Sequence, residues 1–242
     1  MINFSGLRDR FPKARLIGAL VVWLTGGSAV AEGVPAVRVL DFEDATVGAL
    51  PSGFQAALTG GGGPVAWSIQ EDASSAAGPK VLVQTSRDET SKRYPLCVYE
   101  PFSARDVDLS VRFKPISGKV DQAAGLVFRY RDSSNHYIVR ANALEGNVVL
   151  YKVEDGKRSD LKPVDGRLFA YGKKAPVPGQ TWGVLGIVAR GGRFSVHLNG
   201  NHLFDVEDAT FPDAGRVGLW TKADSVTAFD ELRIESLDGA GR

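Results

Sequence analysis

The sequence is poor in cysteine and histidine, and it has no excess of either charge. A single cysteine, Cys97, excludes an intramolecular disulfide and a zinc site built from several cysteines. The three histidines, His136, His197 and His202, are too far apart in the sequence to form a metal-binding motif. Lys and Arg total 29 and Asp and Glu total 28, which argues against a nucleic-acid partner because such proteins need a clear basic excess.

The sequence also lacks the apolar periodicity of a long amphipathic helix. Short alternating segments dominate instead, and 28 glycines and 12 prolines supply turns between them. The predicted strands are Val37–Phe42, Trp67–Gln70, Lys80–Thr85, Leu96–Glu100, Val107–Lys114, Ala124–Tyr130, Tyr137–Ala143, Val148–Val153, Trp182–Arg190, Arg193–Leu198, His202–Val206, Arg216–Thr221 and Ala228–Glu235. This pattern predicts an all-β protein, an antiparallel two-sheet β-sandwich of the jelly-roll type.

Several turns can be predicted from their residue types. Asn199-Gly200 suits a type I′ hairpin because both central residues of that turn have positive φ, and Gly191-Gly192 and Asp155-Gly156 have the same character. Residues 157–180 form the longest irregular stretch, of the kind that often shapes a binding site. Because a sandwich brings its termini together, the N-terminal strand is expected to pair with the C-terminal strand.

Residues 1–31 have the features of a secretory signal peptide. A basic segment precedes the apolar run Leu16–Leu24, and Ala29-Val30-Ala31 matches a cleavage signal. The apolar run is about nine residues, whereas a membrane anchor needs about 20. We therefore expect Sec-type export to the periplasm or the medium. Residues 32–242 are expected to form one monomeric domain, free of the membrane after cleavage.

Alternation along the predicted strands places a mixed aromatic and polar set on one outer sheet face. The set comprises Arg129, Arg140, Asn142, Tyr151, His197, Trp220 and Lys222. Such side chains suit a carbohydrate ligand, because sugars offer apolar C–H faces for stacking and hydroxyls for hydrogen bonds. The alternative interpretation is a solvated sheet face held by cross-strand pairs.

Long segments of the sequence resemble a known superfamily. Residues 124–158 (AGLVFRYRDSSNHYIVRANALEGNVVLYKVEDGKR), together with 41–54, 194–211 and 215–234, resemble concanavalin A-like lectin and glucanase domains. The resemblance is greatest to exported bacterial domains of the laminin-G-like and 3-keto-disaccharide hydrolase types. It implies a concanavalin A-like jelly roll with a concave face that often binds carbohydrate, and activities that range from glycan binding to glycosidic-bond cleavage.

Three functions are compatible with this resemblance. The Glu-x-Asp-x-Glu pattern of glycoside hydrolase family 16 is absent, so a carbohydrate-binding or accessory module is the first hypothesis. The alternative is an enzyme that cleaves 3-keto-glucosides, with Asp224, His197 or Glu145 as the candidate catalytic base. The second alternative is a protein-interaction domain of the laminin-G type, without a sugar site.

Three acidic residues are candidate ligands of a structural Ca²⁺. If the terminal strands pair, Asp41 or Glu43 meets Asp230, and carboxylate oxygens are ligands that Ca²⁺ prefers. The alternative is that Asp230 accepts a hydrogen bond from the backbone, Lys222 or Arg233, since a buried carboxylate needs a partner. No other cofactor is expected.

Overall fold

The computed structural model describes residues 37–165 and 171–239, so the predicted signal peptide lies outside the described residues. The strands are β1 (Val37–Leu40), β2 (Phe54–Gly60), β3 (Trp67–Glu71), β4 (Lys80–Gln84), β5 (Arg93–Ala104), β6 (Val107–Ser117), β7 (Ala123–Asp132), β8 (Asn135–Asn142), β9 (Asn147–Glu154), β10 (Lys157–Asp160), β11 (Lys173–Lys174), β12 (Gly183–Arg190), β13 (Arg193–Leu198), β14 (Asn201–Glu207), β15 (Gly215–Trp220) and β16 (Val226–Ser236). The described residues contain no helix, and hence none long and apolar enough to cross a membrane.

The strands form two eight-stranded sheets. Sheet 1 has the order β14-β13-β12-β6-β16-β4-β3, with β1 paired to β16. Sheet 2 has the order β10-β9-β8-β7-β15-β5-β2, with β11 paired to β9. Neighbouring strands within each sheet are antiparallel. The all-β, antiparallel two-sheet sandwich predicted from the sequence is therefore confirmed.

The core lies between the two sheets and is built by alternation. On β6, Val107, Leu109, Val111 and Phe113 are buried, and the polar residues between them are partly exposed. The inward side chains of both sheets join in one continuous apolar cluster. Burial of this apolar surface, at about 25 cal/mol per Å², is the main term that holds the sheets together.

Two local predictions about chain pairing are also confirmed. Asn199 and Gly200 have φ of 50° and 77°, and they join β13 to β14 as a type I′ turn requires. The terminal strands β1 and β16 pair, with Leu40 opposite Leu232. This pairing places the start and the end of the described domain side by side in sheet 1.

A bulge in β7 interrupts the alternation that the sequence suggested. Arg129 has a φ of 48°, and the register between β7 and β8 shifts after Phe128. The neighbouring strand accommodates the bulge with Gly215, where an added Cβ would lie 2.5 Å from the carbonyl carbon of Arg129. Because one extra residue moves every later side chain to the opposite face, Arg129 turns inward and Tyr130 turns outward.

Candidate functional site

The outer face of sheet 2 carries aromatic rings gathered around one arginine. We call this group the arginine–aromatic cluster; its members are Tyr94 of β5, Tyr151 of β9, Arg158 of β10, Trp220 of β15 and Tyr171, which precedes β11. The rings of Tyr94 and Trp220 stack, with centroids 5.7 Å apart and an interplanar angle of 15°. The guanidinium carbon of Arg158 lies 4.6 Å from the Tyr94 centroid and 4.4 Å from the Tyr151 centroid. Such short contacts are cation–π interactions.

The strand neighbours of Trp220 explain how the indole fits on the sheet. Trp220 is opposite Gly125 of β7, and a Cβ at Gly125 would lie 3.0 Å from the indole Cε3. A side chain at position 125 would therefore displace the indole. Trp220 points outward, as the sequence predicts, but it is 0 % exposed beneath Tyr94 and Arg158. The indole supports the cluster and is not an open stacking surface.

A polar network lies beside the arginine–aromatic cluster, and Arg140 of β8 is at its centre. The Arg140 guanidinium donates to both carboxylate oxygens of Glu145, at 3.3 and 2.9 Å, and to the Asn147 side-chain oxygen at 2.5 Å. It also lies over the rings of Tyr151 and Tyr171, at 5.7 and 5.5 Å. Burial alone would raise the pKa of Glu145, but the bonds from Arg140 and Asn147 outweigh it and lower the pKa.

A second ion pair extends this polar network. The Lys222 ammonium contacts the Asp121 carboxylate, and the side-chain amide of Asn142 donates to the same carboxylate. Burial raises the pKa of Asp121 even though Lys222 opposes the shift. Asp121 was not predicted from the sequence, because it lies in the loop before β7 and not on a strand where alternation applies. Its only signal is an acid placed two residues before an apolar strand.

Three N–H donors in these two groups have no acceptor among the residues that the structure describes. They are Trp220 Nε1, Arg140 Nε and Arg158 Nη1. Buried donors are nearly always paired with protein or ordered water, because an unpaired donor costs roughly 1–3 kcal/mol. These three donors lie on the outer face of sheet 2, where ordered water or a ligand can supply the acceptors that the described residues do not.

Arg129 does not join this face, contrary to its predicted place there. Its guanidinium donates to the carbonyl oxygens of Arg105 and Phe211, both at 2.9 Å, and to that of Gly191. It also lies 5.3 Å from the ring of Phe194 in the core. The bulge described above turns the side chain inward, and Arg129 links sheet 2 to the loops at one end of sheet 1.

His197 lies on the other sheet, so the predicted single face is wrong at this position as well. His197 belongs to β13 of sheet 1, and its ring is 5.4 Å from that of His202. Burial and the neighbouring His202 lower its pKa. Alternation correctly places His197 outside the core, but it does not indicate which of the two sheets contains the strand.

Asp224, which like Glu145 was predicted as a candidate catalytic base, fixes a loop through hydrogen bonds to its backbone. Its carboxylate accepts backbone N–H bonds from Lys119 at 2.5 Å, Val120 at 3.1 Å and Asp121 at 3.0 Å. Burial raises the pKa of Asp224, but these bonds outweigh that effect and lower it. The geometry makes Asp224 a positioning residue for the loop that carries Asp121.

The three predicted calcium ligands have separate partners. Asp230 accepts a hydrogen bond from the Ser75 hydroxyl, and Glu43 accepts one from the backbone N–H of Lys80 at 2.8 Å. Asp41 accepts one from the backbone N–H of Glu43 at 3.3 Å. Within residues 37–165 and 171–239, no group of three or more His, Cys, Asp or Glu is arranged to hold a metal ion. These carboxylates do not fit the calcium site suggested by the sequence.

Comparison with known proteins gives likeness in fold but not in sequence. No protein family and no curated protein matches the chain. The carbohydrate-binding module CBM66 from Bacillus subtilis superimposes with a TM-score of 0.57 and 20 % identity, over 76 % of this chain and 96 % of that one. The cellulose-induced protein Cip1 superimposes with a TM-score of 0.58 and 11 % identity, over 81 % and 96 %. The chain therefore has the concanavalin A-like jelly-roll fold that its sequence resemblance implied.

Proposed function

We propose that this protein is an exported module that binds carbohydrate on the outer face of sheet 2. The observation that carries the proposal is the meeting of aromatic rings and hydrogen-bonding side chains on that face, with three N–H donors unpaired among the described residues. Sugars need this combination, since their rings present apolar faces and their hydroxyls need fixed partners. One of the similar structures is itself named a carbohydrate-binding module, which supports the proposal.

The exposed rim of the face indicates which side chains a sugar would contact first. Tyr171 is 39 % exposed, whereas Trp220 and Tyr151 lie beneath the surface. Glu145 and Lys222 are partly exposed: the Asn147 amide donates to both Glu145 and the Tyr171 carbonyl oxygen, and Lys222 contacts Asp121. The rim groups are thus available to a ligand, and the buried rings hold the rim in place. Export is supported by the signal-peptide features of residues 1–31.

Replacing Tyr171 with alanine is expected to weaken glycan binding by about tenfold, because an exposed aromatic contact is removed from the rim. The measurement is calorimetric titration of the purified protein with a panel of oligosaccharides. Trp182→Ala is the matched control, because Trp182 lies beneath Arg112 and Lys114 on the outer face of sheet 1. Loss of binding in Trp182→Ala but not in Tyr171→Ala would place the site on sheet 1 and contradict the proposed face. If no oligosaccharide of the panel binds the unaltered protein, the proposed function is refuted.

An enzyme acting on 3-keto-glucosides is the second candidate. It is favoured by Asp121, a buried carboxylate with a raised pKa that contacts Lys222 in the same polar network. Such a carboxylate could take a proton from the acidified C–H of a keto-sugar. The expected result is glucoside cleavage, followed by mass spectrometry, that Asp121→Asn reduces by about 100-fold or more. Absence of cleavage by the unaltered protein would refute this candidate and leave the binding module.

A further inference from the structure

The charges of the candidate site do not balance. Its cations are Arg140, Arg158 and Lys222, and its anions are Asp121 and Glu145. Arg140 pairs with Glu145 at 2.9 Å, and Lys222 pairs with Asp121. Arg158 has no carboxylate partner in the part of the chain that the structure describes. Arg158 is partly exposed, but its Nη1 atom is buried, so this excess positive charge beside aromatic rings leaves a place for an anionic partner.

The surroundings of Arg158 hold its guanidinium in a fixed position. The side chain projects from the edge strand β10, where its backbone pairs with Val153 of β9. The guanidinium carbon lies 4.6, 4.4 and 5.9 Å from the ring centroids of Tyr94, Tyr151 and Trp220. The guanidinium is therefore packed among three aromatic rings. Its Nη1 atom is buried and has no acceptor among the described residues.

We infer that the ligand of this site carries a carboxylate, as a uronic acid residue of a glycan does, and that Arg158 binds it. This inference rests on the proposed function and names the class of sugar. The planar N–H edge of a guanidinium matches the two oxygens of a carboxylate, with two parallel charge-assisted bonds. One carboxylate would also make the number of anions in the site equal to the number of cations. A neutral sugar would leave Arg158 without a counter-ion.

The other unpaired donors fit the same ligand. Arg140 and Trp220 are both 0 % exposed, and each has one side-chain N–H without an acceptor among the described residues. Both lie in contact with the rings that surround Arg158, since Arg140 is 5.7 Å from the Tyr151 centroid. Because both side chains lie beneath the surface, water bound together with the uronate is the acceptor that suits these donors. The carboxylate would thus determine the orientation of the sugar, and bound water would link the sugar to the remaining donors.

The test compares acidic oligosaccharides with their methyl esters, which keep the sugar and remove the charge. The probes are oligomers of galacturonate, glucuronate and mannuronate, titrated into the purified protein by calorimetry. At least one acid form is expected to bind about tenfold or more tightly than its ester, because charge-assisted bonds are roughly twice as strong as neutral ones. Arg158→Gln is expected to remove this difference, and Arg131→Gln, at an exposed arginine near Asp213, is expected to retain it.

The outcomes separate this inference from the proposed function. Equal binding of acid and ester to the unaltered protein would overturn the inference and leave carbohydrate binding intact. A preference for the acid that persists in folded Arg158→Gln protein would overturn the role of Arg158. If Arg158→Gln does not fold, Arg158→Lys replaces it, and the difference is expected to narrow because lysine lacks the planar edge. No binding of any acid, ester or neutral oligosaccharide would overturn both proposals.

Discussion

Replacing Arg129 with alanine is expected to lower the free energy of unfolding by about 3–5 kcal/mol, the range for breaking a buried charged network. The substitution leaves the carbonyl oxygens of Arg105, Phe211 and Gly191 without their donor, and the bond to Phe211 is buried while the other two are partly buried. Each unpaired buried group costs roughly 1–3 kcal/mol, and the missing side chain also leaves a cavity beside Phe194. Urea unfolding followed by tryptophan fluorescence measures the change.

Arg131 provides the matched control two residues further along the same strand. Its side chain is 40 % exposed and pairs with Asp213, whose side chain is 77 % exposed. Exposed pairs of this kind contribute about 0–1 kcal/mol, so Arg131→Ala is expected to change stability only slightly. Similar small losses in both variants would contradict the structural role of Arg129. In that case the ligand contact predicted from the sequence would have to be reconsidered for Arg129.

The position of Arg129 shows that strand alternation does not predict side-chain direction beyond a β-bulge. Strict alternation after Phe128 would place Arg129 outside and Tyr130 inside, and the positive φ at Arg129 reverses both. Nothing in the local sequence of β7 indicates this bulge. The matching signal is Gly215, which is distant in sequence and becomes adjacent only when β15 pairs with β7. A feature that depends on two strands could not be derived from either strand alone.

The outward direction of the site residues, by contrast, could be predicted. Arg140, Tyr151 and Trp220 lie on strands with a clear period of two, and the structure places all three on the outer face of sheet 2. Their burial could not be predicted, because alternation identifies the side of a sheet and not what covers it. The covering residue Arg158 lies on β10, a short polar strand without an alternating pattern.

The sequence also does not indicate which of the two sheets each predicted strand belongs to. Short strands and their turns depend on neighbouring residues, so most segments and the Asn199-Gly200 hairpin were predicted correctly. The edge strand β2 (Phe54–Gly60) was missed, because small and partly exposed residues hide its pattern. The order of strands depends on contacts between distant segments, as when β6 pairs with both β12 and β16. This is why His197 was assigned to the wrong sheet.

His136 is the side chain whose burial most directly links stability to pH. The imidazole is 0 % exposed, and Nδ1 lies 3.1 Å from the carbonyl oxygen of Asp132. Its ring centroid is 5.5 Å from that of Tyr130, and Nε2 has no partner among the described residues. Burial lowers the pKa of His136 from 6.5 to about 4, although the Asp132 carbonyl opposes the shift. The folded protein therefore holds this ring neutral.

The protein is expected to lose about 3 kcal/mol of stability through His136 as the pH falls from 7 to 4. Between the usual pKa of 6.5 and the folded value of about 4, the unfolded chain binds a proton that the folded protein does not. Stability therefore falls with pH in this window, and below it both states are protonated and the slope vanishes. Urea unfolding at several pH values should show this slope in the unaltered protein and a shallower one in His136→Gln.

The raised pKa values of Asp121 and Asp230 are common to both proteins and cancel in the difference. Parallel curves of unfolding free energy against pH for the two proteins would mean that His136 binds a proton as readily in the folded protein as in the unfolded chain. The argument from burial would then be wrong.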